Sequence, residues 1–191
     1  MKLPIFKRDI TKIIDQRLHE SRHFIQVIVG PRQVGKTTAI QQVLESAFLI
    51  RGLPKWAGGA LRRRSSSPKW LPLNTALMTA LANQSFQEWR SKPDLWGRLV
   101  EVAVGAYLAN EVARHGFEIY YWRKGNYEVD FVIVKQRKIV AIEVKSGKRR
   151  MNLSGLKLFT KEYKTFRVLT MGSSGIAIKN FLETPVPEWF K

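Results

Sequence analysis

Apolar positions recur along the chain in two rhythms, one near four and one of two, and these mark out most of its elements. Ile10, Ile13, Ile14 and Leu18 repeat at weak helical spacing within a mixed, charged start. HFIQVIVG, residues 23 to 30, predicts a strand, and AIQQVLESAF, residues 39 to 48, a helix. PKWLPLNTALMTALANQ ends in a short helix. DLWGRLVEVAVGAYLANEVARHG predicts a strong helix, begun near Asp94 and closed at Gly116. It is apolar nearly all round, yet Glu101 lies in its middle. FEIYYWRKG reads as a strand whose aromatics belong to the core. Leu153 to Tyr163 make a helix, and FRVLTMG a further strand. A short Pro-rich, Trp-containing tail follows Gly175, and no internal repeat is present.

The pattern is sharpest in EVDFVIVKQRKIVAIEVKSG, residues 128 to 147. Two β-branched runs flank the polar turn Lys135-Gln136-Arg137-Lys138, which predicts a hairpin. A two- or four-residue loop gives one register, in which the numbers of facing residues sum to 273. Val129, Phe131 and Ile133 then oppose Val144, Ile142 and Val140 on one wholly apolar face. On the other face Asp130 opposes Glu143, and Glu128 opposes Lys145. A three-residue loop would set Glu143 against Phe131, so the apolar pattern selects the first register.

Facing carboxylates, with Cβ atoms roughly 5 Å apart, weaken a sheet unless a cation lies between them. A divalent metal with oxygen ligands, Mg²⁺ above all, reconciles such a pair, and Lys145 beside it can hold a water or stabilise an oxyanion. A solvated hairpin face, with a Glu128–Lys145 ion pair and Glu143 pointing to water, accounts for the same residues. Glu101 carries a similar choice. A buried carboxylate needs a partner or a cation, whereas a narrow exposed stripe shared with Arg98 needs neither.

A second motif lies upstream. GPRQVGKTT sits between the predicted strand and helix, and Gly30, Gly35, Lys36, Thr37 and Thr38 fit a phosphate-binding loop in the context that loop requires. Backbone N–H groups would close round the β-phosphate at a helix N-terminus, with Lys36 reaching the β- and γ-phosphates and Thr37 ligating Mg²⁺. An acid at the end of a second apolar strand is missing, because the only acids between Thr38 and Leu95 are Glu45, Glu88 and Asp94. ATP would therefore bind weakly and not be turned over.

Composition narrows the partner. A formal charge of +18 and a pI near 10.5 favour a polyanion, most often nucleic acid. Residues 46 to 87 contain no Asp or Glu, and AGGALRRRSSSPK reads as an exposed basic loop. No basic amphipathic helix points to a membrane surface, and no apolar run approaches a span. Self-association into a homo-oligomer stays open. With no cysteine there is no disulfide, thiolate site or cysteine nucleophile. The opening MKLPIFKRD lacks the apolar region of a secretion signal, so a cytoplasmic location is expected.

Helix with Glu101, three strands carrying Asp130 and Glu143-Val144-Lys145, helix, strand: this αβββαβ order resembles the core of the PD-(D/E)XK, or restriction-endonuclease-like, fold. GRLVEVAVGAYL, YYWRKGNYEVDFVI and IVAIEVKSG closely resemble the C-terminal domain of a prokaryotic AAA-type ATPase family, where it follows an ATPase module and is functionally uncharacterised. GPRQVGKTT resembles the start of that family's ATPase. The resemblance implies an α/β fold: a truncated P-loop strand-helix piece over 1–48, a basic linker and helical segment over 49–92, and a nuclease-like domain over 93–191. It implies Glu101, Asp130, Glu143 and Lys145 as the catalytic set, with Asp130 and Glu143 as metal ligands. Family members carry a long ATPase segment between the two pieces, so the chain resembles an internally deleted member. PKWLPLNTAL also has Asn74 where the family usually has an acid. The expected function is nucleic-acid binding with Mg²⁺-dependent phosphodiester cleavage. The alternatives are an ATP-binding regulatory or interaction module, or a decayed remnant.

Overall fold

The computed structural model describes residues 9–19, 28–58, 67–82, 84–146, 153–172 and 175–191. The chain divides into two compact units, residues 1–50 and 51–191. In the first, α1 (Asp9–His19) packs on α2 (Lys36–Ser46). Ile10, Ile13, Leu18 and Val29 remain exposed there, around an apolar cleft of about 300 Å³. Most of the strand expected over 23–30 lies outside the described residues, and residues 28–30 carry no regular structure.

The second unit takes in the segment expected to be a linker. Strands β1 (Ile50–Leu53) and β2 (Lys69–Pro72) form a two-stranded sheet, and bury Leu53 and Leu71 in the main core. The Arg-rich stretch between them, 59–66, lies outside the described residues. Helix α3 (Thr75–Leu81) starts where the Asn74 side chain accepts from the Ala76 N–H at 2.9 Å. Helix α4 (Phe86–Ser91) starts on a Ser85–Glu88 capping box, in which each side chain bonds the other residue's backbone N–H. Proline opens α5 (Pro93–His115) and Gly116, at φ 62°, closes it in the left-handed conformation, as the sequence pattern predicts.

After α5 come β3 (Glu118–Lys124), β4 (Tyr127–Lys135), β5 (Lys138–Lys145), α6 (Ser154–Glu162) and β6 (Arg167–Gly172). They build one sheet in the order β3-β4-β5-β6, antiparallel except for β6, which runs parallel to β5 after the α6 crossover. Both faces are covered. Val100, Val104 and Leu108 of α5 pack with Phe131, Ile133, Val140 and Ile142. Leu156 and Phe159 of α6 pack with Val132, Val134 and Ala141 on the other side. The tail, which the sequence leaves unassigned, forms α7 (Ile178–Glu183) and a 3-10 helix (Val186–Phe190), and inserts Phe181, Val186 and Phe190 into the α5 cluster.

The β4–β5 hairpin has the expected register over five pairs, from Phe131↔Ile142 to Lys135↔Lys138. The expectation fails at its open end. Between Tyr120↔Val132 and Trp122↔Val129 the β3–β4 register slips, so that Asp130 and Phe131 together face Tyr121. An extra residue in one strand resets which face its side chains take. Val129 accordingly packs with Val132 in the α6 cluster, and not beside Phe131 as strict alternation requires. Tyr121, opposite the bulge, turns to the segment before β2: its N–H donates to Pro54 O at 3.1 Å, and its O accepts from Trp56 N at 2.7 Å.

Candidate acidic site at the carboxyl ends of β5 and β6

Helix α5 comes close to the sheet at Gly105, one turn beyond Glu101, where there is no room for a side chain. A Cβ at Gly105 would stand 2.7 Å from the Phe131 ring and 2.8 Å from Leu71, and one at Gly97 would meet Ser146 at 3.6 Å. The helix therefore lies close to Phe131 at Gly105, while the Gly97 distance is that of an ordinary contact, and Glu101 sits between the two glycines. Glu101 neither lies on an outer stripe nor pairs with Arg98; it is half-buried and accepts from the Lys69 ammonium at 2.7 Å.

Asp130 and Glu143 are the only buried charged residues among those described. They are not ladder partners, since pairing stops at Phe131↔Ile142. Instead the Asp130 carboxylate takes the place of the next rung and accepts from the Val144 N–H at 2.7 Å. Burial first, and then the negative charges of Glu143 and Glu101, push the Asp130 carboxyl up to about 7, against the Val144 hydrogen bond and Lys145. Burial also raises Glu143, and Lys145 opposes that rise through an ion pair of 2.7 Å. The second Glu143 oxygen, Oε2, is buried without a hydrogen-bond partner. Lys145 is itself raised, because its carboxylate neighbours outweigh the burial that works against its charge.

Glu128 departs from expectation. It does not meet Lys145; its ladder partner is Arg123, and its carboxylate accepts from Lys69 at 2.8 Å and lies 3.8 Å from Arg123. Lys69 thus bridges Glu101 and Glu128, and the two carboxylates, overcoming its burial, hold its pKa above the ordinary lysine value. Sequence reasoning missed Lys69. The one signal available was a lysine leading a short strand after a serine run, which separates it from no other basic residue in that segment.

The four residues expected together, Glu101, Asp130, Glu143 and Lys145, are therefore brought together, with Lys69 and Glu128 added. Two buried carboxylates offer hard oxygen donors, and an oxygen lacking a partner, Glu143 Oε2, is the kind of group a cation would satisfy. Among the described residues no three His, Cys, Asp or Glu side chains stand close enough to hold one ion. An ion here would keep water or phosphate oxygens in most of its positions. That fits Mg²⁺, which usually takes only one or two carboxylates.

The upstream loop belongs to the first unit. Gln33 and Gly35 have φ of 64° and 82°, and α2 begins at Lys36 without a side-chain cap. Lys36 reaches back over the loop and donates to Gly30 O at 2.7 Å and Pro31 O at 2.6 Å. Thr37 and Thr38 are exposed.

At the far end of the sheet from the carboxylates, an open groove of about 770 Å³ runs beside the β4–β5 turn, lined by Arg137, Lys138, Tyr163, Lys164 and Phe166 among others. Lys138 stands 4.3 Å from the centre of the Phe166 ring. Among the described residues no helix is long and apolar enough to cross a membrane.

Residues 96–189 match the model of a family described as a domain of unknown function, DUF4143. The match runs from α5 through the 3-10 helix and so contains Glu101, Asp130, Glu143 and Lys145. No curated protein and no solved structure matches the chain.

Proposed function

We propose that the second unit is a nucleic-acid-binding domain of restriction-endonuclease-like architecture, and that it cleaves phosphodiester bonds with Mg²⁺. One observation carries this reading. In a chain of net charge +18, the two buried charges among the described residues are both carboxylates, and they share one end of the sheet with Lys145. Asp130 and Glu143 would hold the ion. Bound there, Mg²⁺ supplies Lewis-acid polarisation of a phosphoryl oxygen and a water of lowered pKa. The chain supplies the rest. Lys145, ion-paired with Glu143 and 39% exposed, would orient that water or meet the charge developing on the phosphate. The Val144 N–H fixes the Asp130 carboxylate, and the cations of the turn end draw the polyanion on.

The test is cleavage of single- and double-stranded DNA and RNA with Mg²⁺ and with chelator. Activity that needs Mg²⁺ and is lost in both Asp130→Asn and Lys145→Ala is the expected result. Cleavage indifferent to those substitutions, or none on any of the four substrates, overturns the reading.

The loop at Gly30–Lys36 supports a second, lesser activity, the weak binding of a nucleoside triphosphate. Its left-handed turns and the Lys36 fold-back suit a loop that wraps phosphate oxygens. Lys36→Ala should abolish ATP binding and leave nucleic-acid cleavage unchanged. Mg-ATP hydrolysis that disappears with that substitution would contradict the expected absence of turnover.

A further inference from the structure

Lys69 is held by two carboxylates from different elements, Glu101 on α5 and Glu128 on β4, at 2.7 and 2.8 Å. Neither distance is that of a loose surface pair, and both oxygens converge on one nitrogen. Two side chains that lie far apart in sequence have been set about a single positive charge. All three are about one-third exposed, so the position is open to an ion arriving from solvent. The charge of Glu128 also bears on Glu143, whose side chain is more than nine-tenths buried and whose Oε2 has no hydrogen-bond partner. The cluster is therefore more acidic than its own hydrogen bonds satisfy.

We infer that the Lys69 ammonium occupies a second cation position, between Glu101 and Glu128, and that this tethered charge limits the acidic site to one divalent ion. The ammonium is a compact point charge on a flexible stem, and can stand where a hydrated cation would. Carboxylate and water ligands of this kind suit Mg²⁺ and Mn²⁺. With Lys69 present, Glu101 Oε1 is taken up by the ammonium, and the charge between Glu101 and Glu128 is already met. Without it, two carboxylates would face each other across an empty position, and a divalent ion would fill it. Lys69 is on this account a positioning residue, acting through the two carboxylates it holds.

The measurement is Mn²⁺ binding to the full chain, counted by electron paramagnetic resonance and by calorimetry, for wild type, Lys69→Met and Lys69→Met/Glu128→Gln. Lys69→Met should gain one bound Mn²⁺ per chain relative to wild type, and the double variant should lose that gain. The thermal midpoint of Lys69→Met should also rise more on Mn²⁺ addition than that of wild type. Because the gain is counted against wild type, it stands apart from ion binding by Asp130 and Glu143, which Asp130→Asn reports separately. Equal stoichiometry in wild type and Lys69→Met overturns the inference. So does a gain that survives Glu128→Gln. If Lys69→Met fails to fold without metal, folding restored by Mn²⁺ supports the inference; a protein that stays unfolded in millimolar Mn²⁺ counts against it.

Discussion

Asp130 gives the site its dependence on pH. Its carboxyl is raised on folding from 3.8 to about 7, by burial first and then by Glu143 and Glu101. A carboxyl raised in this way binds its proton more tightly in the folded state than in the unfolded one. Its contribution is therefore whole below about pH 4 and is lost as pH rises towards and through about 7. In metal-free buffer the midpoint of wild type, measured against that of Asp130→Asn, should fall across this window. A difference that stays constant from pH 4 to 8 would remove Asp130 as the titrating group. Lys145 acts in the opposite sense. Lys145→Ala leaves the buried Glu143 carboxylate without its ion pair, and should cost about 1–2 kcal/mol by urea unfolding, a figure kept small because Lys145 is 39% exposed.

Between elements, two glycines decide how close the helices come. A Cβ at Gly105 of α5 would press on the Phe131 ring and on Leu71, side chains of the buried core and not main chain. Gly105→Ala should therefore cost about 1–3 kcal/mol from overpacking, less roughly 1 kcal/mol returned by helix propensity. At Gly155, in the first turn of α6, a Cβ would lie 2.0 Å from the main-chain oxygen of Glu128, which has nowhere to go. Gly155→Ala should cost more than Gly105→Ala in the same urea experiment, and the reverse order would show that α6 can ride away from β4. Neither glycine stands out in the sequence, because close approach is a property of two segments together. The elements were legible where a single period runs unbroken: α5, the β4–β5 register from the turn as far as Phe131↔Ile142, and β6 are found where the apolar pattern puts them. The bulge at Asp130 was not legible, since it comes from the pairing of β3 with β4 and leaves no mark on β4 alone. For the same reason the site residues could be named from the hairpin, whereas Asp130 bonding Val144 and Lys69 joining Glu101 to Glu128 could not.

For the whole molecule, charge sets how it meets a partner. Between residues 135 and 167 eleven Lys or Arg stand against two Glu, with no base-reading motif beside them. Binding to nucleic acid should be weakly selective for sequence, and should fall by orders of magnitude between roughly 50 and 200 mM salt. Affinity that ignores salt would mean that these cations are not the contact surface. The core carries a different consequence. The cluster under α5 joins Leu53 to Phe190, so its first and last members are separated by nearly the whole second unit. Contacts of such range close slowly, because the intervening chain must be ordered before they form. During synthesis, at roughly 5–20 residues per second, the three-stranded meander would emerge with its α5 face short of Phe181, Val186 and Phe190. The unit is thus left for several seconds as a strongly cationic, half-covered nascent chain beside the ribosome's RNA.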